Sequence, residues 1–319
     1  TYNASISACE KGEQWQQALH LFHEMQARHL APSVISYDAA ISACGKVGQW
    51  ERALGALLEM QEGRLEPYVI SFNAAISACE KAEKWESALQ LFAKMQEQQF
   101  VPTVISYNAA ISACEKGGEW RRALWILMEM HDHFLQPDLI TYSAAICACA
   151  KGMKWERALA TMAEMQEHCL EPDVVSYNAA ISTCEKSDQW ERGLQLLLRL
   201  HEQGMEPNRI SFNAVLSACE KGEQWERALE MLTEMKETRL EPDVISYSAA
   251  ISACETGQQW AWSLELLAQM KEQDVEPDLI CYSAAMLACS SSARWERVLG
   301  MLSDMRACDM ELDAIGYSA

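Results

Sequence analysis

Residues 104–138 read VISYNAAISACEKGGEWRRALWILMEMHDHFLQPD, and this stretch decides the fold. Tyr107, Ala110, Ile111 and Cys114 recur at i, i+3, i+4 and i+7, the spacing of one helix face. Gly117 and Gly118 interrupt that helix. Trp120, Ala123, Leu124, Leu127 and Met130 then lay down a second apolar stripe at helical spacing. His133-Phe134-Leu135-Gln136 leads to Pro137, which cannot continue a helix and biases Gln136 towards extended geometry. The stretch predicts a helical hairpin followed by a short loop. No segment alternates as a strand would.

The whole chain repeats this pattern. Trp15, Trp50, Trp85, Trp120, Trp155, Trp190, Trp225, Trp260 and Trp295 keep a spacing of 35 residues without a slip. All eight prolines, Pro32 to Pro277, form one column, with Leu312 in the ninth place. An aromatic column runs from Tyr2 through Tyr107 to Tyr317, and a cysteine column from Cys9 through Cys149 to Cys289. A fixed period of this size marks a repeat array whose units stack to bury a shared core. The expected architecture is all-α: a right-handed α-solenoid of about nine 35-residue helical-hairpin repeats. It occupies residues 1–319 as a single array, with units at 1–33, 34–68, 69–103, 104–138, 139–173, 174–208, 209–243, 244–278 and 279–313, and a partial unit at 314–319. The chain begins and ends inside a unit and lacks a polar capping helix, so it is expected to be a segment of a longer array.

Half of the residues are hydrophobic, yet no apolar run approaches the roughly 18 residues of a membrane span. No membrane association and no signal or transit peptide is expected within this segment, although a cut N-terminus would hide a leader. The thirteen cysteines do not suggest a disulfide framework. Packed helices lie about 8–10 Å apart, whereas bridged Cα atoms lie about 4.4–6.8 Å apart. The cysteine column reads as small buried hydrophobes in a reducing compartment. The net charge of −20 argues against nucleic-acid binding, which normally needs a basic footprint. The acids, however, recur mainly on the second helix, as at Glu51, Glu86, Glu156 and Glu226, and are expected on a solvated outer face. The Trp column is expected inside, with the Ala, Leu and Met of the same helix.

Lysine makes its own column: Lys11, Lys46, Lys81, Lys116, Lys151, Lys186 and Lys221, broken at Thr256 and Ser291. These cations fall at the end of the first helix, where they offset its dipole by about 0.3–1 kcal/mol each. Two further columns are polar and vary within a narrow set. One follows the aromatic: Asn3, Asp38, Asn73, Asn108, Ser143, Asn178, Asn213, Ser248 and Ser283. The other follows the proline: Ser33, Tyr68, Thr103, Asp138, Asp173, Asn208, Asp243, Asp278 and Asp313. Both suit helix caps and turns as residue types. Between them runs a β-branched aliphatic column: Ile35, Ile70, Ile105, Ile140, Val175, Ile210, Ile245, Ile280 and Ile315.

With its Val104-Ile105-Ser106-Tyr107-Asn108 opening, later Ala123-Leu124, Met130 and Pro137-Asp138, the chain resembles the pentatricopeptide repeat family over its full length, in the uniform P-type form. The Trp column and the Ile-Ser-Ala-Cys-Glu-Lys phrase resemble algal, dinoflagellate-like members. The resemblance implies sequence-specific binding of single-stranded RNA, one base per repeat. It implies that the two polar columns read the base, that the aliphatic column sandwiches it and that the lysines approach the phosphates. It further implies action in organellar RNA processing, stability or translation, in a chloroplast before a mitochondrion, with processing proteins as recruited partners.

The chemistry of such a pair can be argued directly. An ionised carboxylate only accepts hydrogen bonds. U and G carry an imino N–H, so Asp favours them, while Asn or Ser, which donate, suit C and A. Asn in the first column fills the space beside a pyrimidine, and the smaller Ser leaves room for a purine. On this scheme Asn3 with Ser33 implies C, and Asn73 with Thr103 a pyrimidine. Asn108 with Asp138 implies U, Ser143 with Asp173 G, Asn178 with Asn208 C with U next, and Asn213 with Asp243 U. Ser248 with Asp278, and Ser283 with Asp313, imply G, whereas Asp38 with Tyr68 fits no usual pair. The resemblance implies that the N-terminus lies at the RNA 5′ end, which makes the expected target 5′-CNYUGCUGG-3′.

No catalytic constellation stands out, so no enzyme activity, cofactor or small-molecule substrate is expected. The seven histidines follow no column, and Cys147-Ala148-Cys149 lacks the second pair a zinc site needs, so no metal is expected either. P-loop, dinucleotide and deaminase signatures are absent from the sequence. The competing reading is a protein-binding scaffold like the tetratricopeptide repeats, with an acidic surface for a basic partner. Its usual unit, however, is 34 residues.

Overall fold

A computed structural model describes residues 2–63 and 65–307. The described residues are helical hairpins and short loops, with no strand among them. The hairpins are α1 (Tyr2–Lys11) with α2 (Trp15–Ala27), α3 (Val34–Lys46) with α4 (Trp50–Glu62), and α5 (Val69–Lys81) with α6 (Trp85–Glu97). There follow α7 (Val104–Gly117) with α8 (Trp120–Asp132), and α9 (Leu139–Lys151) with α10 (Trp155–Glu167). Next come α11 (Val174–Lys186) with α12 (Trp190–Glu202), and α13 (Arg209–Lys221) with α14 (Trp225–Glu237). The last are α15 (Val244–Thr256) with α16 (Trp260–Glu272), and α17 (Leu279–Ser291) with α18 (Trp295–Ala307). Among the described residues none of these helices is long and apolar enough to cross a membrane.

Contacts group the chain into two compact units, residues 1–172 and 173–319. Within the first, each first helix packs on its own partner and on the first helix of the next hairpin, as α3 does on α4 and α5. The second helix touches the following first helix, as α8 does α9. The second unit repeats the scheme from α11 to α18.

Small side chains make this packing close. Tyr107, Ala110, Ile111 and Cys114 are completely buried, as are their counterparts Tyr247, Ala250, Ile251 and Cys254. Burial pushes the Cys44 thiol up to about 11 and Cys114 up to about 12, as befits small hydrophobes. No described cysteine is bridged. At Gly45 a Cβ would stand 2.6 Å from the carbonyl oxygen of Ala74, so only glycine lets α3 approach α5 this closely.

The second-helix stripe is rotated from its expected setting. Ala123, Ile126, Leu127 and Met130 are the buried residues of α8, while Trp120 and Leu124 are half-buried. The tryptophans are therefore not core residues. They stand at the first turn of the second helix, and within each unit Trp85, Trp120, Trp190 and Trp225 are covered by the next hairpin, whereas Trp295 is 65% exposed. A Cβ on Gly152 would fall 2.3 Å from Trp120 Cδ1, and one on Gly222 would fall 2.4 Å from Trp190 Cδ1. Cations add a lid: Arg52 lies 4.8 Å from the Trp15 ring centre, and Lys154 lies 5.7 Å from that of Trp120. Within each unit these tryptophans hold one repeat to the next, which accounts for their strict period.

Candidate nucleic-acid interface

The post-proline residue occupies the N-cap of each first helix from α3 to α17. Asp138 Oδ1 accepts from the backbone N–H of Thr141 at 2.9 Å, and Asp173, Asp243 and Asp278 do the same for residues 176, 246 and 281. Asn208 caps Ser211, and Thr103 caps Ser106. Capping is thus a real role of this column, and it fixes where the side chain sits.

A second set of bonds ties the cap to the preceding repeat. Asn108 Nδ2 donates to both carboxylate oxygens of Asp138, at 3.1 and 3.0 Å. The same link joins Asn3 to Ser33 at 2.9 Å, Asn73 to Thr103 at 3.3 Å, Asn178 to Asn208 at 3.2 Å and Asn213 to Asp243 at 3.2 Å. The two polar columns expected to act as pairs therefore meet, 30 residues apart, in five repeats.

The third member of each cluster was not anticipated. Ser36, Ser71, Ser106, Thr141, Ser211 and Ser246 are fully buried at the third position of the first helix. Ser246 Oγ donates to Asn213 Oδ1 at 2.6 Å and also bonds Asp243 Oδ1 and the Asp243 backbone N–H. Ser106 holds Asn73, Ser211 holds Asn178, and Ser71 holds Asp38 in the same manner. With its Oδ1 occupied, the amide is turned so that its N–H groups face the cap. The sequence signal was the unbroken run of Ser or Thr one residue before the aromatic from Ser36 to Ser246.

Burial pushes the Asp138 carboxyl up, but hydrogen bonds from Thr141, Asn108 and the Ile140 backbone outweigh it and hold it below the usual range. Asp243 behaves alike, with Arg209 adding to the effect. Both are acceptor-only carboxylates near neutral pH. Asp38 is the opposite: burial raises its carboxyl, and the Ser71 hydroxyl offsets this only in part. Its partner position is Tyr68, whose side chain is 57% exposed. Ser248 is too short to reach across; its hydroxyl donates to the Ile245 carbonyl at 3.1 Å. Ser143 lies in the first compact unit and Asp173 in the second. Asp313 and Ile315 lie outside the described residues, so Ser283 is described without its partner.

Beside each cap stands the aliphatic column. Ile35, Ile70, Ile105, Ile140, Val175, Ile210, Ile245 and Ile280 are between 58 and 66% exposed. Recurrent exposure of large β-branched side chains at one place per repeat is unusual, because apolar area is ordinarily withdrawn from water.

The lysines are less free than expected. Lys46 Nζ pairs with the Glu10 carboxylate at 2.9 Å and donates to the Glu10 carbonyl at 3.0 Å. Lys151 pairs with Glu115 at 2.6 Å and Lys221 with Glu185 at 3.0 Å, and Lys81 Nζ caps the Lys46 carbonyl. Each of these lysines reaches the first-helix end of the preceding repeat, where the sequence had placed its charge only on the end of its own helix. Lys11, Lys116 and Lys186 are exposed at the same column. Elsewhere, His131, Glu164 and His168 bring three donor atoms within 4.8 Å of one another, although no metal was expected from the sequence.

Family models described as the PPR repeat family match residues 67–116, 172–221 and 207–256. A pentatricopeptide repeat domain model matches 1–47, 20–82 and 125–187, and a PPR repeat model matches 105–133. No curated protein matches the sequence. The structure is similar to that of the pentatricopeptide repeat protein PPR10 in complex with an 18-nt psaJ RNA element. The TM-score is 0.67 at 21% identity, over 99% of this chain and 51% of that one. A second structure, of PPR10 from maize, gives 0.57 at 22% identity, over 99% of this chain and 50% of that one. The PPR domain of Arabidopsis thaliana protein-only RNase P 1, in complex with tRNA, gives 0.50 at 18% identity, over 54% of this chain and 91% of that domain. This chain spans about half the length of the PPR10 chain. With the three models together reaching from residue 1 to residue 256, the chain belongs to the pentatricopeptide repeat family.

Proposed function

We propose that this chain binds single-stranded RNA, one base per repeat. Each base would rest between exposed aliphatic side chains of successive repeats and present its Watson–Crick edge to the hydrogen-bonded polar pair. The observation that carries this reading is the aliphatic column, Ile35 to Ile140 in the first unit and Val175 to Ile280 in the second, left in water beside hydrogen-bonded polar pairs. A purely structural repeat gains nothing from that arrangement. A structurally similar family member, PPR10, has been crystallised with RNA, which supports the reading.

The proposed target is 5′-CNYUGCUGG-3′. Asp138, ionised and acceptor-only, suits the imino N–H of U or G, and Asn108 beside it selects the smaller U. The lysine column would meet the phosphates where its ion pairs with glutamate open. The proposed setting is an organelle, chloroplast before mitochondrion. Occupying a transcript segment there would block exonucleases, prevent pairing or recruit processing proteins, with no chemistry performed by the chain itself.

The pair at the fourth repeat gives the test. Asn108→Ser should move the preferred fourth base from U towards G, read by anisotropy titration of four RNAs differing only there. An unchanged preference would sink the code at that repeat. A second reading, a protein-binding scaffold, is favoured by Trp125 and Met128 of α8 and Leu198 of α12, each 57–66% exposed, and the net charge of −20 would suit a basic partner. Failure of every RNA in the series to bind would favour it.

A further inference from the structure

Second helices of neighbouring repeats are joined by a recurring polar link between residues 33 apart. Gln96 donates to Glu129 at 2.5 Å, and His201 meets Glu234 at 3.4 Å. His131 and Glu164 make the same link at 3.0 Å between the ends of α8 and α10. Here a third donor is added. His168 follows Glu164 by four residues, which places it on the same side of the helix end. The His131 and His168 rings stack with centres 5.4 Å apart and planes at 23°.

We propose that His131, Glu164 and His168 form a binding site for a divalent transition-metal ion of the zinc class, clamping two consecutive repeats. Two imidazoles and one carboxylate are a donor set for zinc-like ions, not for magnesium or calcium, which prefer oxygen alone. Donor atoms bound to one zinc at about 2.0–2.2 Å lie at most about 4.4 Å apart. The three lie within 4.8 Å already, and a small rotation of the exposed His168 would close the remaining distance. The buried Tyr142 donates from its hydroxyl to Glu164 Oε1 at 3.4 Å and orients the carboxylate, as the outer partners of metal ligands commonly do. Solvent would complete the coordination, since the cluster lies at the surface. The inference does not depend on the RNA reading.

The neighbouring link supplies an internal control. His201 faces Glu234 as His131 faces Glu164, but Thr238 stands where His168 would be. The test titrates the full chain, reduced and metal-free at pH 7.5, with Zn(II) against a chromophoric competitor. One tight site is expected. His131→Ala, His168→Ala and Glu164→Gln should each weaken it at least tenfold with helical circular dichroism unchanged. His201→Ala and Cys169→Ser should leave it intact, and Zn(II) should raise the Tm of the parent but not of His168→Ala. Co(II) should give a visible d–d spectrum without thiolate charge transfer. The proposal is overturned by the absence of a saturable site, by binding that survives both histidine substitutions, or by binding that is lost with Cys169.

Discussion

Ser246 shows how much of the proposed reading depends on a residue that never touches RNA. Its hydroxyl fixes Asn213 and Asp243 at once, from a position wholly out of water. Ser246→Ala leaves buried polar groups unpaired, at a cost of about 1–3 kcal/mol. We expect a lower Tm and a weaker preference for U at that repeat, measured in the same variant. Asp38 gives a pH signature. Its folded-state carboxyl is raised by burial, so the folded chain holds that proton to higher pH than the unfolded chain does. Stability then falls as pH rises from the unfolded value, about 3.9, through the folded one. Asp38→Asn should raise the Tm at pH 7, and the gain should vanish below about pH 3, where both states are protonated. A gain that persists there would contradict the assigned cause. The polar pairs were legible in the sequence because they vary within a narrow set. The buried Ser and Thr beneath them were not, because a constant small residue looks like any other core position until its hydrogen bonds are seen.

Each hairpin turn uses a left-handed residue, and glycine is often not the one used. Gly48 and Gly118 fill the place in two repeats, but Glu13, Glu83, Met153, Asp188, Glu223, Gln258 and Ala293 adopt φ of 53–58° elsewhere. A non-glycine residue in this region costs about 1–2 kcal/mol. Met153→Gly should therefore raise the Tm, by an amount reflecting about 1 kcal/mol, since the 58% exposed Met153 side chain loses little contact. An unchanged or lowered Tm would show that the strain is relieved elsewhere. The helical hairpin of each repeat followed from the 35-residue period and the proline column. The tryptophans were misplaced because periodicity alone cannot separate a core stripe from a seam. Gly152 and Lys154, which cover Trp120, come from the next repeat. The cluster of His131, Glu164 and His168 was hidden for a related reason. Its members are 33 and 37 residues apart, a spacing that becomes a site only when repeats stack.

At the scale of the molecule the tension is between a net charge of −20 and a polyanionic ligand. Glutamates such as Glu51, Glu86 and Glu156 are exposed on the second helices, whereas the polar pairs and the aliphatic row belong to the first helices. Recognition on this account comes from base contacts more than from phosphate attraction, because Lys46, Lys151 and Lys221 are already paired with glutamate. The most direct measurement is an anisotropy titration of 5′-CAUUGCUGG-3′ against a base-shuffled control, at low and at physiological salt. The account predicts that the matched RNA binds at least tenfold more tightly, about 1.4 kcal/mol, at both salts. Equal affinity for the two RNAs, or no binding at low salt, would contradict it.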